Sequence, residues 1–179
     1  MLSLRTACCL DTRCRGLSRI DGVDLMTTER EGMNDTIRLA VSRDDDGTGL
    51  LTVAFVSGRY SGEGSAYFDL KHLGEVAQVL TSYPLPSDPV VLAGGFFDEA
   101  DFHVLRQEHV FIQARALAGG PVGLLVRVAE PWEANGALRR SVSAEFLLDY
   151  EQIGSLARKL QLLAVGQRDS VVLELGPTR

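Results

Sequence analysis

Cysteine is confined to the first fourteen of the 179 residues, at Cys8, Cys9 and Cys14. The rest of the chain can therefore hold no disulfide, thiol nucleophile or thiolate ligand, and such usage suits a reducing compartment. Three cysteines with one adjacent pair and no nearby histidine do not supply a zinc site. Long apolar runs are missing too: nothing approaches the roughly 20 apolar residues of a membrane-spanning helix. The apolar stretch Ala7 to Leu10 is also shorter than the about 7–15 residues of a secretory h-region. The expectation is a soluble, cytoplasmic protein that does not contact membranes. Positive charge is in deficit, with 18 basic against 24 acidic side chains and a net charge of −6. That sign is opposite to the footprint needed to neutralise phosphates, so nucleic acid is not an expected partner. Catalytic signatures are absent as well, with no Gly-x-Ser-x-Gly elbow and no His-Glu-x-x-His. Gly58-x-x-x-Gly62-x-Gly64 lacks the Lys-Ser/Thr and the helix of a phosphate loop, and reads as a hairpin loop. No cofactor and no metal is expected.

What the chain does have is 45% hydrophobic residues, ample for a packed core. Residues 1–34 carry five basic and five acidic side chains and few apolar ones, which reads as a disordered leader. Alternatively it is a misassigned start, with Met26 or Met33 as the natural first residue.

From Asp35 onward the hydrophobic period alternates between that of strands and that of helices. Ile37, Leu39 and Val41 share one strand face, Asp44-Asp45-Asp46-Gly47 supplies turn chemistry, and Leu51, Val53 and Phe55 share the face of a second strand. After a loop over Ser57–Gly64 and a short third strand at Ser65–Phe68, Asp69 is placed to cap a helix on which Leu70, Leu73, Val76, Ala77 and Leu80 recur. Pro84 and Pro86 end that helix, and Val90-Val91-Leu92 is the next strand.

The same order then returns: a strand over His109–Ala116, a turn at Gly119-Gly120-Pro121, a strand over Gly123–Val128, a strand ending near Leu148, and a helix capped by Asp149. Asp69–Leu80 and Asp149–Leu160 share Asp, Gly, Ala and Leu at four of twelve positions, and Asp88-Pro-Val-Val-Leu92 aligns with Asp169-Ser-Val-Val-Leu173. We read an internal duplication, with residues 35–95 and 109–176 as the copies and 96–108 as a connector. The fold class is α+β: an internally duplicated β-β-β-α-β unit, mostly antiparallel sheet, with two helices packed on one face. Each copy alone is too small for an independent core, so the two must share burial in one compact domain. Gly74 and Gly154 take the same helix position, and the expectation is that both allow a close approach.

Charge singles out candidate functional residues. Residues 35–95 hold four basic and eight acidic groups, the connector one and four, and the second copy seven of each. Asp44, Asp45, Asp46, Asp98, Glu99 and Asp101 therefore form an acidic surface suited to steering a basic protein partner. Phe97 and the single tryptophan, Trp132, are candidate buried anchors for such a partner. These eight residues are the expected binding site, a homodimer is a possible assembly, and no catalytic residue is assigned. The alternative is a small enzyme or ligand-binding protein with a site near His103 and His109, where imidazoles and carboxylates are interspersed.

Gly62-Glu-Gly-Ser-Ala-Tyr-Phe-Asp69 with its Leu-rich helix, Gly123-Leu-Leu-Val-Arg-Val128, and Ala144-Glu-Phe-Leu-Leu-Asp-Tyr150 with its helix together resemble the WapI-type immunity proteins of bacterial polymorphic toxin systems. The resemblance covers most of residues 35–175. It implies a small, non-enzymatic cytoplasmic protein of bacterial origin that neutralises a toxin domain by binding it, and it implies no particular contact residues.

Overall fold

A computed structural model describes residues 35–98, 100–101, 104–131 and 140–176. The alternating segments form strands β1 (Asp35–Arg43), β2 (Thr48–Ser57), β3 (Tyr60–Asp69), β4 (Val90–Phe97), β5 (Leu105–Ala116), β6 (Val122–Ala129), β7 (Ser141–Leu148) and β8 (Ser170–Leu175). The segments of helical period form α1 (Leu70–Leu80) and α2 (Tyr150–Ala164). All strand pairing is antiparallel, in two four-stranded sheets ordered β3-β2-β1-β8 and β7-β6-β5-β4.

The two orders are the same once β1 is equated with β5 and β8 with β4. Each copy keeps its first three strands and gives its fourth to the other copy's sheet. The exchanged strands bury their apolar side chains: Leu173 and Leu175 of β8 and Leu92 of β4 all enter the core. Complete burial of a leucine contributes about 1.5–3 kcal/mol. The crossover that carries β4 away is pinned to the second copy, because the Leu85 N–H donates to the Tyr150 hydroxyl at 3.2 Å and the Tyr83 ring meets Tyr150 edge-on. In the other direction, Arg43 at the end of β1 donates to the carbonyls of Leu163 and Ala164, which close the last turn of α2.

Both predicted caps form. The Asp69 carboxylate accepts from the amides of Lys71 and His72, and Asp149 makes a reciprocal capping box with Gln152. Leu73, Val76, Ala77 and Leu80 of α1 and Ile153, Leu156, Ala157 and Leu160 of α2 enter one continuous core, while Leu70 is only half-buried beside it. The helices pack against each other, α1 also against β3 and β4 and α2 against β8.

Four readings from the sequence are corrected. The segment 57–64 is not a loop: only Gly58 and Arg59 turn, and β3 starts at Tyr60. Its glycines are packing residues where β3 crosses the second sheet. A Cβ on Gly62 would collide with Val142, and one on Gly64 would lie 2.7 Å from the His109 carbonyl oxygen. The connector is shorter than 96–108, since β4 continues to Phe97 and β5 begins at Leu105. The paired glycines Gly74 and Gly154 do not permit a close approach: a Cβ on Gly74 would meet Ala164 at an ordinary 3.6 Å, and one on Gly154 would meet nothing within 4 Å.

The last correction concerns the two Asp-x-Val-Val-Leu segments. The hairpin bonds Asp44 N–H to Thr48 O and Leu117 N–H to Pro121 O make Leu39 the counterpart of Ile112. Leu39 pairs with Val171 and Ile112 with Leu92, so Leu92 corresponds to Val171 rather than to Leu173. α2 has 15 residues against 11 in α1, and a slip of two keeps the same side chains facing the core because the strand period is two.

Candidate functional site

The predicted acidic residues fall on two different sheets. Asp44, Asp45 and Asp46 form the β1–β2 turn, which Gly47 completes with φ +89°. Asp46 accepts hydrogen bonds from the Thr48 hydroxyl at 2.7 Å and the Thr48 amide at 2.9 Å, and these hold its carboxyl below the usual range. Asp98 and Asp101 belong to the β4–β5 loop of the other sheet. There Asp98 accepts from the Ala100 amide at 2.8 Å and from the Arg106 guanidinium, which together lower its pKa in that order of importance. Arg106 offsets part of that loop's negative charge. Glu99, His103 and Trp132 lie outside the described residues.

Large apolar side chains also reach solvent at the ends of β4 and β5 that flank this loop. Phe96 is 54% exposed, Phe97 45% and Val104 51%. The Asp98 amide donates to the Val104 carbonyl at 2.8 Å and the Val104 amide to the Asp101 carbonyl at 2.9 Å, which ties the end of β4 to the start of β5. Phe96 is further held by an edge-on contact with the His109 ring, 4.6 Å between centroids. Because β4 comes from the first copy and β5 from the second, strand exchange builds this tip. Phe97, Asp98 and Asp101 were legible as candidates, whereas Val104 was not, because nothing in its neighbours marks it as exposed.

His109, the centre of the alternative enzymatic reading, is buried. It is the extra residue where the β4–β5 ladder shifts between Gly94 and Gly95. Its Nε2 lies 3.2 Å from the Gln107 side-chain oxygen, and burial pushes its pKa below the ordinary imidazole value. Asp98 is meanwhile engaged by Ala100 and Arg106, so the pairing of imidazole and carboxylate that such a site needs is not assembled by these two residues. Among the described residues no group of three or more His, Cys, Asp or Glu is placed to hold a metal ion. No described helix is long and apolar enough to cross a membrane.

Among the described residues, shallow cavities of about 310 Å³ lie at two other places. One, beside the β4–β5 tip, is bordered by Arg106, Glu108, Arg127, Glu130 and Arg140. Its arginines are matched with acids: Arg106 with Asp98, Arg127 with Glu108, and Arg140 with Glu130. Arg127 also lies over the ring of its cross-strand neighbour Phe111, 4.7 Å from the centroid. The other cavity is a groove between α2 and β8. Neither could be foreseen from the sequence, because each depends on which strands pair. No protein-family model, no curated protein and no solved structure matches this chain.

Proposed function

We propose that this chain is a non-enzymatic protein-binding module that docks through the β4–β5 tip. The observation that carries the reading is the exposure of Phe96 and Phe97 at the end of β4 and of Val104 just before β5, beside Asp98 and Asp101. Exposed aromatics on a paired strand are efficient anchors, since little backbone freedom is left to lose on binding. The neighbouring carboxylates make a polar rim, and the acidic β1–β2 turn adds to a negative field that speeds encounter with a basic partner. An immunity protein that neutralises a basic toxin domain by direct contact fits this description, in line with the resemblance to the WapI-type immunity proteins.

The test replaces Phe97 with a photo-crosslinking amino acid in cells, identifies the protein captured, and measures its binding in purified form. With that partner, Phe97→Ala is expected to weaken affinity about tenfold or more, mainly through faster dissociation. Reversal of Asp44, Asp45 and Asp46 to Lys is expected to slow association and flatten its dependence on salt. A partner bound equally well by the Phe97→Ala protein would contradict the assignment of the tip as the docking surface.

A further inference from the structure

Four described strands stand at sheet edges, β3 and β8 of one sheet and β4 and β7 of the other. β3 packs across the face of the second sheet, with Gly62 against the side chains of Val142 of β7 and Val128 of β6. β4 starts after Pro89, and its register shifts between Gly94 and Gly95 and again between Phe96 and Phe97, irregularities that discourage further pairing. β8 lacks such irregularities. It pairs with β1 without a register shift, and no described strand lies on its other side. The Val41 amide donates to the Asp169 carbonyl at 2.8 Å, so by antiparallel alternation Val171 and Leu173 make the bonds to β1. The amides and carbonyls of Ser170, Val172 and Glu174 then point outward, and the Val172 side chain is 47% exposed on the adjoining face.

We propose that this edge pairs with β8 of a second copy of the chain, antiparallel about a two-fold axis at Val172, to make one continuous eight-stranded sheet. The edge is self-complementary. Val172 meets Val172, Ser170 meets Glu174, and no like charges stand directly opposite one another. The helix above it is self-complementary too. The groove between α2 and β8 is lined by Glu151, Ser155, Arg158, Lys159, Val172 and Glu174. Since β8 returns along α2, Glu151 lies toward the end of β8, with Arg158 and Lys159 toward its start. The two-fold axis turns the Glu151 end of one helix toward the Arg158 and Lys159 end of the other. Neither Glu151 nor Arg158 has an ion-pair partner among the described residues, and Lys159 donates only to the Ser155 hydroxyl at 3.1 Å. Dimerisation through β8 is independent of binding at the β4–β5 tip.

The experiment is sedimentation velocity of the full chain over a concentration series, with Cys8, Cys9 and Cys14 changed to Ser to exclude adventitious disulfides. A concentration-dependent dimer is expected, with amide exchange at Val172 slower at high than at low concentration. Val172→Pro removes an edge N–H that β1 does not use and is expected to give a monomer. Glu151→Lys is expected to weaken the dimer about tenfold or more, and adding Arg158→Glu and Lys159→Glu to restore it. If Val172→Pro fails to fold, the charge series decides. A chain that stays monomeric throughout, or a dimer indifferent to the charge series, would overturn the proposal. Either result would leave β8 unused or occupied by some other extended segment.

Discussion

Leu73 is fully buried on α1, a helix of the first copy that packs on α2 of the second and on the exchanged strand β4. Replacing it with Ala removes three carbons, which at about 0.8 kcal/mol each is about 2.4 kcal/mol of lost transfer energy. The neighbours belong to strands and to a second helix that cannot all close in, and a residual void of roughly 50 Å³ adds about 1.2 kcal/mol. The expected loss is therefore about 3.5 kcal/mol, with Ile153→Ala at the equivalent position of α2 costing about the same. The assay is urea denaturation followed by far-UV circular dichroism, together with amide exchange resolved to β2 in one copy and β6 in the other. Because each copy holds a strand of the other's sheet, unfolding should be a single transition, and Leu73→Ala should reduce protection equally in β2 and β6. An unmoved midpoint, or a loss of protection confined to one copy, would refute this reasoning.

Other expectations follow from packing and titration. Gly64→Val should destabilise the fold by roughly 1–3 kcal/mol or more in thermal denaturation, because its Cβ is directed at a backbone carbonyl rather than a movable side chain. Gly154→Ala should raise stability by about 0.5–1 kcal/mol, and a loss instead would show crowding at that turn of α2. Burial depresses the pKa of His109 in the folded state, so below its unfolded value of about 6.5 the unfolded chain binds more protons than the native one. Stability should accordingly fall as pH drops through about 6.5 toward the folded pKa, and His109→Gln should flatten that part of the profile, as read from denaturant midpoints across pH.

The duplication was legible because caps and helix faces are local: Asp69, Asp149 and the apolar positions of both helices follow from spacing alone. The exchange of β4 and β8 was not, since either strand carries a sequence that could complete either sheet, and the contacts of Tyr150 and Arg43 that accompany the exchange join residues far apart in the chain. Gly62 and Gly64 read as loop residues because glycine is rare in strands, and their packing role requires knowing that β3 crosses a second sheet. The acidic residues stand out by charge composition alone. Composition carries no trace of Asp44 to Asp46 and Asp98 standing on different sheets, or of Arg106 offsetting one of them. The groove beside β8 has no sequence signature at all.

Both the β4–β5 tip and the open edge of β8 exist only because the copies exchange their last strands, so that exchange is the claim to test most directly. Ala40 and Ser170 face each other across β1 and β8 at a site that is not hydrogen-bonded, where Cα atoms stand about 4.5 Å apart and a disulfide fits. In a protein with Cys8, Cys9 and Cys14 changed to Ser, Ala40→Cys with Ser170→Cys should oxidise to an intramolecular bridge, mapped by peptide mass spectrometry. Ala40→Cys with Val91→Cys, which an unexchanged first copy would bring together, should not. A bridge to position 91 in place of position 170 would contradict the account.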